Sequence, residues 1–481
     1  MMATVRTRFA PSPTGPPHLG NARTAILNWL FARHAGGAFV LRLEDTDTAR
    51  NVEGGEAAIL EALDWLGLDR DEDPVVGGPY GPYRQSERAD RHAARARELL
   101  ERGHAFRCFC TPEELEADRE AAIGTGLPPG IDRRCRDLVP AEAEAREAAG
   151  VPAAIRLRVG PGPVEFEDRL KGTLTIDGAD LGDFVLLRPD GRATYNFAVA
   201  IDDLDMRITH VIRGVGHLSN TPKQALVYRA LGVEAPEFVH IPTVLALGGG
   251  KLSKREGARG VLEYRDDGFH PDAILNYLSL LSWSTGSGEE FLTREELIER
   301  IDLDRIGATD AELDPDKMRW LSGRHVRAET PERLARRWAE FGCARGLEVT
   351  HDDLVRAAEV LAKRTELLSD AGPELEAVYA EPDLGTADAR GALAGESAAD
   401  VLSGVSGTWA DAEWRAEALK AGLGAAAERV GVSGKAFFQP IRVALTGALH
   451  GPDLAEVAYA LGRERARARL ERAHRKAREA G

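Results

Sequence analysis

Apolar and polar positions change period twice near the amino terminus. Residues 5–9 alternate as a short strand does, with side chains turning to opposite faces. Ala22, Ile26, Leu27, Leu30 and Phe31 then recur at helical spacing, which marks one buried helix face. Residues 38–43 return to a strand-like apolar run that closes on Glu44 and Asp45. Between the first strand and the helix, residues 11–17 hold too much Pro and Gly for either element and predict a stiff turn. Gly36-Gly37 ends the helix. Strand, loop, helix and strand make one unit of an open parallel sheet, and such sheets bind ligands at the carboxyl ends of their strands. Those ends carry Ser12, His18, Gly20 and Asn21 on one side and the polar run from Glu44 to Asp47 on the other.

The same reading continues along the chain. Residues 54–102 predict two amphipathic helices joined by a Pro/Gly-rich loop. Residues 111–123 and 139–150 read as helices, and 154–159 and 184–188 as strands, so mixed structure interrupts the sheet over about 111–192. The apolar run 193–203 reads as the sheet resuming, with a further strand over 208–214. Asn220 or Thr221 caps a helix with Pro222 in its first turn. After Arg255 the patterns turn helical: an apolar helix from His270 to near Trp283, another capped by Thr293, and Ala/Glu/Leu/Arg-rich segments from about Arg324 onward. The tail 463–478 is dense in Arg with Glu464 and Glu471 interspersed. A solvated helix face and a contact with RNA phosphate are both open for it.

A chain of 481 residues implies two to four domains, and 43% apolar content is ample for several cores. No apolar run reaches membrane-spanning length and no secretion signal opens the chain. Four cysteines fit a reducing cytoplasm rather than a disulfide scaffold. The net charge of −16 argues against casual nucleic-acid binding, although binding depends on local patches rather than the sum.

Three groupings carry candidate chemistry. His18 and Gly20 sit where a helix begins, so backbone N–H groups and the positive dipole end would face an anion, with His18 donating to a phosphate oxygen. Alone, a His-x-Gly reads first as a structural histidine in a proline-rich turn, since the pattern is short. Gly248-Gly249-Gly250 followed by Lys251-Leu252-Ser253-Lys254-Arg255 puts two ammonium groups on a glycine-rich loop. It is no Walker A loop, because Leu245 stands at its first glycine and Leu252 at its Ser/Thr. Cys108, Cys110 and Cys135 place three of the four thiols together, which can enclose a tetrahedral zinc ion, with Asp137 the nearest candidate for a fourth ligand and metal-free buried thiols the other reading.

The chain as a whole resembles bacterial glutamyl-tRNA synthetases, a class I family. The resemblance is carried by Arg8-Phe9-Ala10-Pro11-Ser12-Pro13-Thr14-Gly15, by Arg42-Leu43-Glu44-Asp45-Thr46-Asp47, by Tyr195-Asn196-Phe197 and Asp202-Asp203, by Ile208-Thr209-His210 with Arg213-Gly214, by Lys251-Leu252-Ser253-Lys254-Arg255, and by the run 434–447. It implies an α/β fold: a Rossmann-like parallel-sheet catalytic domain with an α+β insertion, followed by an all-α anticodon-binding region. The expected divisions are 1–110 and 193–260 for the two catalytic halves, 111–192 for an insertion that holds the tRNA acceptor end, 261–323 for a helical connecting region, and 324–481 for anticodon binding.

The resemblance further implies a cytoplasmic, monomeric ligase. It would join L-glutamate to ATP with Mg²⁺, then pass the glutamyl group to tRNA(Glu), with tRNA(Gln) a second candidate acceptor. His18, Lys251 and Lys254 would be catalytic. His18, Gly20, Asn21, Lys251, Ser253 and Lys254 would bind ATP. Arg8, Ala10, Ser12, Glu44, Tyr195 and Arg213 would bind glutamate. Cys108, Cys110, Cys135 and Asp137 match a zinc site of some members, with Asp137 in place of His. Two departures stand out: Asn21 replaces the usual Gly, and Val215-Gly216 replace an acidic pair that contacts the nucleotide. A tRNA-binding paralogue with weakened catalysis and a small-molecule nucleotidyltransferase of the same superfamily remain alternative readings.

Overall fold

The computed structural model describes residues 4–47, 51–125, 133–250 and 259–480. These divide into two compact units: residues up to Glu263 with Leu275–Asp314, and Tyr264–Ile274 with Pro315 onward.

In the first unit, β1 (Arg6–Phe9), α1 (Leu19–His34) and β2 (Ala38–Leu41) form the expected strand–helix–strand unit. Strands β1 and β2 run parallel, with Arg6 opposite Ala38 and Phe9 opposite Leu41. Ala22, Ile26, Leu27 and Leu30 are buried against this sheet, each large side chain contributing about 1.5–3 kcal/mol, while Phe31 is half-buried. Further along come β3 (Ala105–Cys108), β4 (Ala154–Leu157), β5 (Pro163–Asp168), β6 (Gly172–Asp177) and β7 (Val185–Leu187). They are followed by β8 (His210–Gly214), β9 (Glu237–Ile241), β10 (Val244–Leu245) and β11 (Ala311–Glu312). The main sheet has the order β2-β1-β8-β9-β5-β6, parallel except for its β5–β6 hairpin. Strands β3, β4 and β7 make a separate antiparallel sheet.

One sequence expectation is corrected, and one element is new. Residues 193–203 do not resume the sheet: Tyr195–Asp205 is a helix. Phe197 to Asp203 are all buried, so the helix is packed on every side and its sequence shows an unbroken apolar run rather than helical periodicity. The β5–β6 hairpin was not anticipated. Its exposed strand positions carry Glu165, Glu167, Thr173 and Thr175, a polar alternation with little apolar signal. The Thr293 cap is present, with a reciprocal capping box to Glu296.

The second unit is helical throughout its described length from Pro315 onward. Its core gathers Trp338, Leu354, Leu361, Phe437, Ile441 and Leu470. Among the described residues no helix is long and apolar enough to cross a membrane.

Candidate functional site

A cleft of about 350 Å³ opens in the first unit at the carboxyl ends of β1, β8 and β9. The parallel topology puts it there, because the chain leaves all three strands on the same side. Arg8, Ala10, His18, Gly20, Asn21, Glu44, Tyr195 and Arg213 all line it. Ser12 is exposed and is not on its wall, since the turn carries that side chain outward. Lys251, Ser253 and Lys254 lie outside the described residues.

His18 is the N-cap of α1. Its Nδ1 accepts the backbone N–H groups of Gly20 at 3.1 Å and Asn21 at 3.4 Å. The helix start therefore does not offer those two donors to a ligand, as the sequence suggested. It offers the histidine instead. With Nδ1 accepting, the neutral ring carries its proton on Nε2, and desolvation lowers the His18 pKa so that the ring is neutral at pH 7. Gly20 serves this arrangement: a Cβ there would lie 2.9 Å from His18 Cε1.

The floor of the cleft is a buried charge network. Asp203, from the helix Tyr195–Asp205, accepts from Arg8 Nε at 3.2 Å and from Arg42 Nη1 at 2.7 Å. Arg42 also reaches Glu44 at 3.2 Å. Burial alone would raise the Asp203 pKa, but Arg42 and Arg8 outweigh it and hold the carboxyl below its usual range. Burial raises the pKa of Glu44, only partly offset by Arg42 and Arg8. Arg213 is also buried, but its partners are uncharged: Nε donates to His240 Nε2 at 3.1 Å and Nη2 to Thr221 Oγ1 at 2.8 Å. Its Nη1 is buried with no hydrogen-bond partner, and burial lowers the guanidinium's pKa.

Tyr195 and His217 face each other across the cleft wall, hydroxyl to Nδ1 at 3.0 Å. Desolvation, with Arg213 and Arg8 nearby, pushes the His217 pKa down to about 4. Burial raises that of Tyr195, so a neutral hydroxyl meets a neutral ring, and the phenolic oxygen keeps a lone pair with either tautomer of His217. Val215 and Gly216 line the rim, and a side chain at Gly216 would meet nothing within 4 Å.

Sequence reading missed Asp203, Arg42, His217 and His240 as parts of this site. A signal existed for two of them. Asp203 ends an apolar run, and His240 interrupts one, and a polar group in such a setting needs a partner.

Away from the cleft, Cys108, Cys110 and Cys135 bring their sulfurs within 4.8 Å of one another. Cys110 and Cys135 are 3.6 Å apart, and the Phe109 N–H donates to the Cys135 sulfur at 3.3 Å. Asp137 is exposed and stands outside this group, because it follows the last turn of the short helix Arg133–Arg136.

A family model described as "tRNA synthetases class I (E and Q), catalytic domain" matches residues 4–320, and one for an anticodon binding domain matches residues 332–474. The chain is 43% identical over 478 residues to a glutamate–tRNA ligase of Symbiobacterium thermophilum, covering 97% of this chain and 99% of that protein. It is 40% identical over 479 residues to that of Desulforamulus reducens, covering 98% and 99%. Among solved structures it resembles a glutamate tRNA ligase from Elizabethkingia meningosepticum in complex with its amino acid. There the TM-score is 0.80 and the identity 32%, over 98% of this chain and 99% of that one.

Proposed function

The chain belongs to the class I tRNA synthetases of the E and Q type, and from that membership we infer how its cleft works as a glutamate–tRNA ligase. The protein activates L-glutamate with ATP and transfers it to tRNA. The α-carboxylate oxygen attacks the α-phosphorus, the bond to the bridging oxygen breaks, and pyrophosphate leaves. A ribose hydroxyl at the tRNA 3′ end then attacks the adenylate carbonyl, and AMP leaves. No side-chain nucleophile is required, so catalysis is positioning and charge stabilisation. Mg²⁺, arriving with ATP, supplies further neutralisation of the phosphates.

The residues divide between two ends of the cleft. Arg213, with its unpartnered Nη1, and Arg8 clamp the γ-carboxylate, which would be costly to bury unpaired. Glu44 and the Tyr195 oxygen accept from the α-ammonium, and Ala10 bounds the pocket. His18 donates from Nε2 to the phosphates, with Gly20 and Asn21 holding the turn. Lys251, Ser253 and Lys254 complete the nucleotide side by resemblance. The observation that carries this reading is one cleft lined both by a buried guanidinium with an unpartnered nitrogen and by a helix-capping histidine.

Gly20→Ala tests the nucleotide end. Pushing the His18 ring aside is expected to lower glutamate-dependent ATP–pyrophosphate exchange about tenfold or more, with circular dichroism unchanged. Exchange at the wild-type rate would remove the ring from the phosphate site.

We also propose that Cys108, Cys110 and Cys135 hold one Zn²⁺. Zinc–sulfur bonds of about 2.3 Å place tetrahedral sulfurs roughly 3.8 Å apart, and the 3.6 Å between Cys110 and Cys135 fits. Asp137 is not part of the proposed set. Metal analysis of the purified protein should find close to one zinc per chain, lost in Cys110→Ser. Zinc-free protein that is fully folded would dismiss the site.

By the same resemblance the chain acts as a cytoplasmic monomer on tRNA(Glu), with tRNA(Gln) the alternative acceptor. Aminoacylation of both tRNAs with labelled glutamate tests the function. Charging of tRNA(Glu) is expected, and tRNA binding without exchange would favour a weakened paralogue, for which the acid-free rim at Val215-Gly216 is the motive.

A further inference from the structure

Arg8 and Arg213 are both buried and both line the cleft, yet they are held in opposite ways. Arg8 is paired with a carboxylate, Asp203. Arg213 is held by His240 and Thr221, neither of which carries charge. His240 sits directly opposite Arg213 in the parallel pairing of β8 and β9, and its side chain is fully buried. Its Nδ1 lies 2.6 Å from Asp168 Oδ2. Asp168 also accepts the backbone N–H groups of His240, Leu170 and Lys171, at 3.0, 3.1 and 2.9 Å. Those bonds stabilise the ionised carboxylate, which can only accept, so Nδ1 must donate. In a neutral ring Nε2 is then an acceptor, and it faces Arg213 Nε and Thr221 Oγ1 at 3.1 and 3.0 Å.

We propose that His240, with its tautomer fixed by Asp168, is the positioning residue that holds Arg213 in place while leaving its charge uncompensated for the side-chain carboxylate of the substrate. The inference rests on the glutamate clamp described above. A carboxylate in place of His240 would hold the guanidinium equally well but would neutralise it in advance. A neutral acceptor fixes the direction of the fork and reserves the charge. The pair Asp168–His240 thereby favours an acidic side chain over its isosteric amide, because glutamine offers Arg213 no negative charge. Neither residue touches the substrate: His240 acts through Arg213, and Asp168 through His240.

Steady-state ATP–pyrophosphate exchange by the full-length protein, with tRNA present, tests this. His240→Leu is expected to raise the KM for glutamate about tenfold or more, while the KM for ATP stays within about twofold. His240→Gln can accept from Arg213 with Oε1 and donate to Asp168 with its amide, so it should restore most of the glutamate KM. Should His240→Leu not fold, Asp168→Leu decides: it removes the acceptor facing Nδ1, so neither the tautomer nor the ring's orientation is fixed and Arg213 loses its held direction, giving the same glutamate-selective rise. A glutamate KM unchanged in the folded variants, or ATP and glutamate KM moving together, overturns the proposal. Arg213→Ala run alongside separates the two levels. Intact activation in that variant refutes the clamp itself, whereas loss there with no effect at His240 or Asp168 refutes only the positioning role.

Discussion

Arg213→Ala is expected to abolish glutamate-dependent ATP–pyrophosphate exchange while the chain stays folded. The guanidinium is buried, its Nη1 has no partner, and its two occupied nitrogens bond to uncharged groups. Removing it therefore orphans no buried charge within the protein. What it orphans is the substrate's γ-carboxylate, which would enter a desolvated pocket facing only Arg8, a residue already committed to Asp203. Losing one partner of such a buried charge pair costs about 3–5 kcal/mol, or roughly three orders of magnitude in kcat/KM. Thermal melting should move little, because burial already works against the Arg213 charge in the free protein. Arg213→Lys should recover only a fraction, since a point charge cannot reproduce the fork. Unchanged activation kinetics in Arg213→Ala would take Arg213 out of the site.

Asp203→Ala is expected to do the reverse and to strike stability first. Its carboxylate lies between Arg8 and Arg42, both buried, and Arg42 in turn holds Glu44. Without it two guanidiniums are left facing one another away from water. Removal of the shared partner costs about 3–5 kcal/mol, which lowers the melting temperature by roughly five to eight degrees in a unit of this size. The pH dependence has a definite sign. The folded-state pKa of Asp203 is depressed below its unfolded value, so its contribution is fully present above about pH 4 and fades as pH falls through the folded value. The gap in melting temperature between wild type and Asp203→Ala should thus hold steady from neutral pH down to about 5, and close only at more acid pH. A gap that closes near pH 6 would mean that another group carries the effect.

The contrast between these two arginines also shows what the sequence could and could not reveal. The strand–helix–strand unit with His18 was legible because its apolar positions keep one period within each element. The helix Tyr195–Asp205 was misread because its middle, Phe197–Asp203, is buried on every side and shows no alternation of apolar and polar faces to betray its period. The β5–β6 hairpin escaped because its outward positions are polar. Arg8 and Arg213, the residues of the proposed clamp, were singled out through family resemblance, but what holds them was not legible. Asp203 lies 195 positions from Arg8, and Asp168 lies 72 from His240, so only the folded sheet brings them together. The space that the missing side chain of Gly20 leaves for the ring of His18 likewise appears only in the fold.

The central claim is that one cleft binds the acidic side chain at its arginines and the nucleotide phosphates at His18. A crystal structure with a non-hydrolysable glutamyl-adenylate analogue tests it most directly. The account predicts the γ-carboxylate within hydrogen-bonding reach of Arg8 and Arg213, the α-ammonium at Glu44, and the phosphate mimic at His18 Nε2. An analogue whose acidic end lies away from both arginines, or which binds outside this cleft, would contradict it.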